Sequence, residues 1–81
     1  MTLYLKPWCP WCIQAVDWLE ARRYHFTKAD VLTDAAAYAR MQSISGQGLT
    51  PTLETSTGKV LADFDVGQLE KFLQAHDILP E

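Results

Sequence analysis

Long apolar runs are missing from this chain. No stretch approaches the ~18 residues that a membrane-spanning helix requires, and the N-terminal residues show no basic segment leading into an apolar run with a small-residue cleavage site. From these absences we expect a cytoplasmic protein that has no membrane partner. Basic clusters are missing as well. Seven lysines and arginines stand against ten acidic residues, for a formal net charge of -3. The basic side chains (Lys6, Arg22, Arg23, Lys28, Arg40, Lys59, Lys71) are scattered apart from one pair, which leaves no electrostatic footprint for nucleic acid as the main partner. Histidine and cysteine are scarce, at two residues each. A structural zinc site takes four ligands, and neither His25 nor His76 has a partner at ligand spacing, so no metal centre is expected within the chain. A secreted disulfide scaffold of this size usually carries four or more widely spaced cysteines. Cys9 and Cys12 instead lie three positions apart, a spacing that points to chemistry.

What is present has ordinary globular proportions: 81 residues, 48% hydrophobic and 21% charged. A chain of that length hides only about 60 to 65% of its unfolded surface, so one modest core must serve. We expect a single domain over residues 1–81, with no room for a separate cofactor domain.

Thr2 to Lys6 is rich in strand formers and is stopped by Pro7. From Pro10 to about Arg23 the pattern is helical: Cys12, Ala15, Val16 and Leu19 share one apolar face, opposite Gln14, Asp17 and Ala21. Pro10 suits the first turn, and Arg22 and Arg23 suit the last. Tyr24 to Val31 reads as a second strand. Thr33 is placed to cap a helix running through Ala35, Ala36 and Ala37 to about Ser43, with Gly46 as its stop. Thr52–Thr55 and Lys59–Asp63, joined by Ser56-Thr57-Gly58, form a hairpin pattern. Asp65 followed by Gln68 opens a last helix, buried through Leu69, Phe72 and Leu73. Helix crossovers between the early strands imply parallel pairing, and the tight turn implies an antiparallel pair. The fold class is α/β, in the order β-α-β-α-β-β-α, with a four-stranded mixed sheet flanked by three helices.

Cys9-Pro10-Trp11-Cys12 joins the first strand to the first helix. Cys9 therefore falls at a helix N-terminus, where unpaired N–H groups and the helix dipole favour a thiolate; it is the expected nucleophile. Cys12 shares the buried face with Val16 and Leu19 and is expected to act second, closing onto Cys9 to release a bound sulfur. Lys6 adds positive charge nearby. Tyr4, Phe26 and Phe72 are assigned to the core, whereas Trp8 and Trp11 flank the nucleophile and are assigned to substrate contact.

With these residues in view, the chain resembles the glutaredoxin family of thioredoxin-fold proteins over nearly its whole length. The resemblance is carried by Lys6, by Cys9-Pro10-Trp11-Cys12, by Thr50-Pro51-Thr52, and by Gly58-Lys59 followed by Phe64-Asp65. Trp11 stands where the family usually has tyrosine, and Pro51 matches the family's cis-proline facing the cysteines. The resemblance implies a backbone edge at Thr50 for a peptide or glutathione, and a seat for the γ-glutamyl carboxylate at Phe64 and Asp65, where the last helix begins. Lys6 is the side chain left to attract the glycyl carboxylate. Leu49-Thr50-Pro51 replaces the family's T-V-P, Gly48 replaces a common basic residue, and Ala62-Asp63 replaces a Gly-Gly.

The expected function is that of a dithiol–disulfide oxidoreductase acting on protein or glutathione mixed disulfides. No permanently bound cofactor is expected, and glutathione is the co-substrate that the resemblance implies. Partners would be disulfide-containing or glutathionylated proteins, with glutathione or a flavoprotein reductase restoring the dithiol to a monomeric chain. The alternatives are a redoxin served by thioredoxin reductase or a dedicated partner, and an iron–sulfur or metal carrier using Cys9.

Overall fold

Leu3 and Tyr4 are neighbours on the first strand and point to opposite sides of a sheet, as successive strand residues must. Each anchors a separate core. The computed structural model describes residues 1–80, with β1 (Thr2–Leu5), α1 (Pro10–Ala21), β2 (Thr27–Asp30), α2 (Ala35–Ser45), β3 (Thr52–Glu54), β4 (Val60–Ala62) and α3 (Val66–Ala75) in chain order. On one face Leu3 packs with Ala15 and Leu19 of α1, Leu53 of β3, and Phe64, Leu69 and Leu73 at and within α3. On the other face Tyr4 packs with Val31 and with Ala37 and Met41 of α2. Phe72 and Phe26 sit at the margin of the first core, partly buried.

The sheet order is β2-β1-β3-β4. β1 pairs in parallel with β2, Leu3 opposite Lys28, and β3 pairs antiparallel with both β1 and β4, Leu53 opposite Leu3 and Leu61. The parallel expectation thus holds for the first crossover and fails for the second. α2 touches β1, β2 and β4 and so lies across the strands. A helix laid crosswise leaves the chain at the end of the sheet where β2 stops, and β3 enters from there, reversed.

Boundaries shift for local reasons. α1 ends at Ala21, short of Arg23, because Arg23 takes a left-handed conformation (φ 63°) and the Arg23 and Tyr24 N–H groups return to Glu20 O and Leu19 O, both at 3.0 Å. That ending uses up Tyr24, and β2 starts only at Thr27, whose N–H reaches Met1 O at 2.9 Å. Asp34 rather than Thr33 caps α2, its carboxylate accepting the Ala37 N–H at 3.1 Å. Gly46, left-handed at φ 71°, ends that helix beyond Ser45, two residues later than the sequence pattern suggests. α3 opens with the expected reciprocal cap between Asp65 and Gln68. Among the described residues, no helix is long and apolar enough to cross a membrane.

Candidate functional site

Pro7 ends β1, and the chain turns so that the Cys9 N–H reaches back to Lys6 O at 3.1 Å. The turn leaves Cys9 as the N-cap of α1, extended at φ -75° and ψ 119°, with Pro10 in the first turn where its missing N–H costs nothing. An N-cap side chain normally accepts one of the helix's unpaired N–H groups through oxygen. In this helix a sulfur does so: Cys9 Sγ accepts the Cys12 N–H at 3.4 Å. The same thiol faces the Thr50 carbonyl oxygen at 3.9 Å. Both cysteines are free thiols. Cys9 keeps 7% of its surface exposed and Cys12 only 1%, which ranks Cys9 as the sulfur that a substrate reaches first.

Burial raises the Cys9 thiol, but hydrogen bonds from the Cys12 thiol and N–H, the Thr50 hydroxyl and the Trp11 N–H outweigh it and bring Cys9 below the usual thiol range. Burial pushes the Cys12 thiol up, and the neighbouring Cys9 adds to that rise, outweighing the Thr50 hydroxyl and the Lys6 N–H. Two like thiols are thereby moved in opposite directions, Cys9 toward easier ionisation and Cys12 away from it, the division of labour that sequential disulfide exchange needs.

The Thr50–Pro51 peptide bond is cis. Pro51 is fully buried, so what it offers the site is the placement of Thr50 rather than ring surface. The loop ahead of it is braced by Gln47, which nothing in the sequence pattern singles out. Trp8 and Trp11 are 66% and 55% exposed beside the cysteines, with Leu49 at 55%. Lys6 lies 5.7 Å from the Trp8 ring centroid, a cation–π distance.

Two shallow grooves flank the cysteines. One, of about 200 Å³, is lined by Lys6, Pro7, Cys12, Ile13 and Lys28, among others. The second, of about 180 Å³, is lined by Trp11, Asp63, Phe64, Asp65 and Gln68. Phe64 belongs to the core at 3% exposure and forms only the floor. The start of α3 is already occupied from within: the Gln68 N–H donates to Asp65 Oδ1 at 2.8 Å, and the Asp65 N–H donates to Gln68 Oε1 at 3.0 Å. Asp63 is left-handed at φ 52° and its N–H donates to Pro51 O at 2.9 Å, so a carboxylate-bearing residue clips the proline loop from the groove side. A larger depression of about 440 Å³ lies between Trp18, Arg22, Tyr24 and the end of α3, and neither cysteine lines it. Among the described residues no three His, Cys, Asp or Glu side chains are grouped to hold a metal ion.

The model of the glutaredoxin family matches residues 1–60. An uncharacterized glutaredoxin-like 8.6 kDa protein in the rubredoxin operon of Clostridium pasteurianum is 25% identical over 72 residues, which is 89% of this chain and 95% of that protein. The crystal structure of the thioredoxin-like protein BC3987 aligns at a TM-score of 0.79 with 30% identity, covering 89% of this chain and 97% of that one. The X-ray structure of XcR50 from X. campestris aligns at a TM-score of 0.63 with 34% identity, covering 91% and 95%. These neighbours extend the likeness through the hairpin and into α3, past the end of the family match.

Proposed function

The chain belongs to the glutaredoxin family, and from that premise we propose that it is a dithiol–disulfide oxidoreductase that reduces protein disulfides or glutathione mixed disulfides through Cys9 and Cys12. The observation that carries this reading is the Cys9 sulfur, held between the Cys12 N–H at 3.4 Å and the Thr50 carbonyl at 3.9 Å. The Cys9 thiolate attacks one sulfur of the substrate disulfide. A Cys9–substrate disulfide forms, and the other substrate sulfur leaves as a thiolate and takes up a proton. Cys12 then gives up its proton and attacks the Cys9 sulfur, expelling the second substrate thiolate. The substrate has gained two electrons, and Cys9 and Cys12 are left joined as a disulfide. Cys9→Ser should abolish reduction of a small disulfide; full activity in that variant would overturn the assignment.

Family membership supports glutathione as the reductant that restores the dithiol. A specific observation favours a second reading, in which a flavoprotein reductase or a dedicated protein partner does so. The Asp65 and Gln68 N–H groups at the start of α3 are engaged by its own cap, and Asp63 lines the groove that the γ-glutamyl carboxylate would enter. Turnover of a small disulfide with glutathione and its reductase, measured against turnover with thioredoxin reductase, separates the two.

A further inference from the structure

Between Gly46 and Pro51 the chain has left α2 and not yet joined β3, and among the described residues the backbone groups of Gly48, Leu49 and Thr50 find no backbone partner. Unsupported backbone of this kind is normally mobile. A single side chain supplies what the ladder does not. The Leu49 N–H donates to Gln47 Oε1, which fixes the orientation of the amide. Gln47 Nε2 then faces Leu49 O at 3.3 Å, Thr52 Oγ1 at 3.2 Å and Ser45 Oγ at 3.0 Å, three acceptors for its two hydrogens. Thr52 closes the ring from the sheet side, its fully buried hydroxyl donating to Leu49 O at 2.9 Å. Ser45 closes it from the helix side: its hydroxyl donates to Met41 O at 2.5 Å, which turns an oxygen lone pair to Gln47 Nε2. Gly48 passes so close beneath Tyr38 that a Cβ there would lie 2.6 Å from the Tyr38 hydroxyl.

We infer that Gln47 is the positioning residue of the site: its side chain pins Leu49 at both N–H and C=O and so sets Thr50 opposite the Cys9 sulfur. The same bracing leaves Thr50 N–H, which meets no protein acceptor among the described residues, free to pair with an extended substrate. Gln47 lies three residues from Thr50 along the chain and acts entirely through the loop. The inference rests on the disulfide-exchange reading above, since the edge it positions is the one that a disulfide-bearing peptide would use.

The test compares the wild-type protein with Gln47→Ala and Gln47→Glu; the second keeps the length and the acceptor but loses both donors. A disulfide-bonded peptide serves as substrate and iodoacetamide as a reagent that needs the Cys9 sulfur but no backbone edge. Loss of the brace should lower kcat/KM for the peptide at least about tenfold, mainly through KM, while alkylation of Cys9, which loses at most the Thr50 hydroxyl contact, falls by no more than about fivefold. In the wild-type protein the Leu49 amide should exchange with solvent at least ten times more slowly than the Thr50 amide; that protection should vanish in Gln47→Ala, which loses the acceptor, and survive in Gln47→Glu, which keeps it. Unchanged peptide kcat/KM in a folded variant, an equal loss toward iodoacetamide, or a wild-type Leu49 amide that exchanges as fast as Thr50 would each overturn the role. A wild-type protein that does not reduce the peptide at all counts against the oxidoreductase reading instead, while the Leu49 exchange pattern still reports on the brace.

Discussion

The Cys9 thiol points at the Thr50 carbonyl oxygen from 3.9 Å, across 41 residues of sequence, and the Thr50 hydroxyl helps to hold both cysteines below where burial alone would put them. Thr50 thus has two separate duties, one through its backbone and one through its side chain. Thr50→Val keeps the shape and removes only the hydroxyl. The rate of Cys9 alkylation should rise with pH at a midpoint below that of a free cysteine in the wild type, because only the thiolate reacts. In Thr50→Val the midpoint should move upward. The rate at neutral pH should fall about fivefold, the worth of one hydrogen bond of ~1 kcal/mol. An unmoved profile would place the hydroxyl outside the site.

Cys12 is nearly sealed, at 1% exposure, and burial with the neighbouring Cys9 raises its thiol above the ordinary range. Cys12→Ser should therefore leave Cys9 reactive but unable to finish. With a protein disulfide the variant should accumulate a covalent Cys9–substrate complex, visible by mass spectrometry, at under about a tenth of wild-type turnover. With a glutathionylated substrate and free glutathione, partial activity should survive, since glutathione can take the resolving step. Full turnover of a protein disulfide by Cys12→Ser would remove Cys12 from the mechanism.

What the sequence displays is what local spacing encodes. Asp65 and Gln68 announce the cap of α3 because that cap spans three residues, and Pro10 beside Cys9 announces a thiol at a helix start for the same reason. The start of β2 is hidden, since Tyr24, His25 and Phe26 are strand formers by composition but Tyr24 serves to close α1. The direction of β3 is hidden too, because it depends on α2 lying across the sheet. Within the site, the cysteines could be read from a motif and Thr50 and Pro51 from the family resemblance. Gln47 could be read from neither: its importance comes from backbone that lacks partners, and only the folded loop reveals that.

On the face opposite the cysteines' helix, Glu54 is the hub of a small polar network. It accepts from the Tyr4 hydroxyl at 2.8 Å and from Arg40 at 2.7 Å. The Arg40 and Tyr4 hydrogen bonds hold the Glu54 carboxyl below its ordinary range. A depressed carboxylate contributes stability that is fully present above its unfolded pKa, near 4.3, and is lost as pH falls through the lower folded value. Glu54→Ala also strips the buried Tyr4 hydroxyl of its partner, at a cost of about 2 kcal/mol. For a domain of this size that is a fall in Tm of roughly 8 to 16 °C near neutral pH. The gap between variant and wild type should narrow on acidification, and a gap that is constant down to pH 3 would show the carboxylate charge to be irrelevant.

Whether glutathione is used turns on Asp63 and on the closed cap of α3. The groove beside Trp11 is the place where a γ-glutamyl carboxylate would seek N–H donors, but Asp65 and Gln68 already pair with each other there, and Asp63 adds a negative charge to the lining. Asp63 also holds a left-handed conformation that glycine adopts without strain. Asp63→Gly should leave the Asp63 N–H contact to Pro51 O intact while removing the charge. Two like charges about 4 Å apart in water repel by ~1 kcal/mol, so the KM for glutathione should fall about fivefold, and less so at high salt. The effect on a neutral small disulfide should be negligible. A control at the cap separates charge from donor supply: Asp65→Ala frees the Gln68 N–H but costs the helix about 1 kcal/mol, so it should improve glutathione turnover only while lowering Tm by roughly 4 to 8 °C. If Asp63→Gly leaves glutathione turnover and its salt dependence unchanged, the groove is not where glutathione binds. A protein reductase then becomes the reading to pursue.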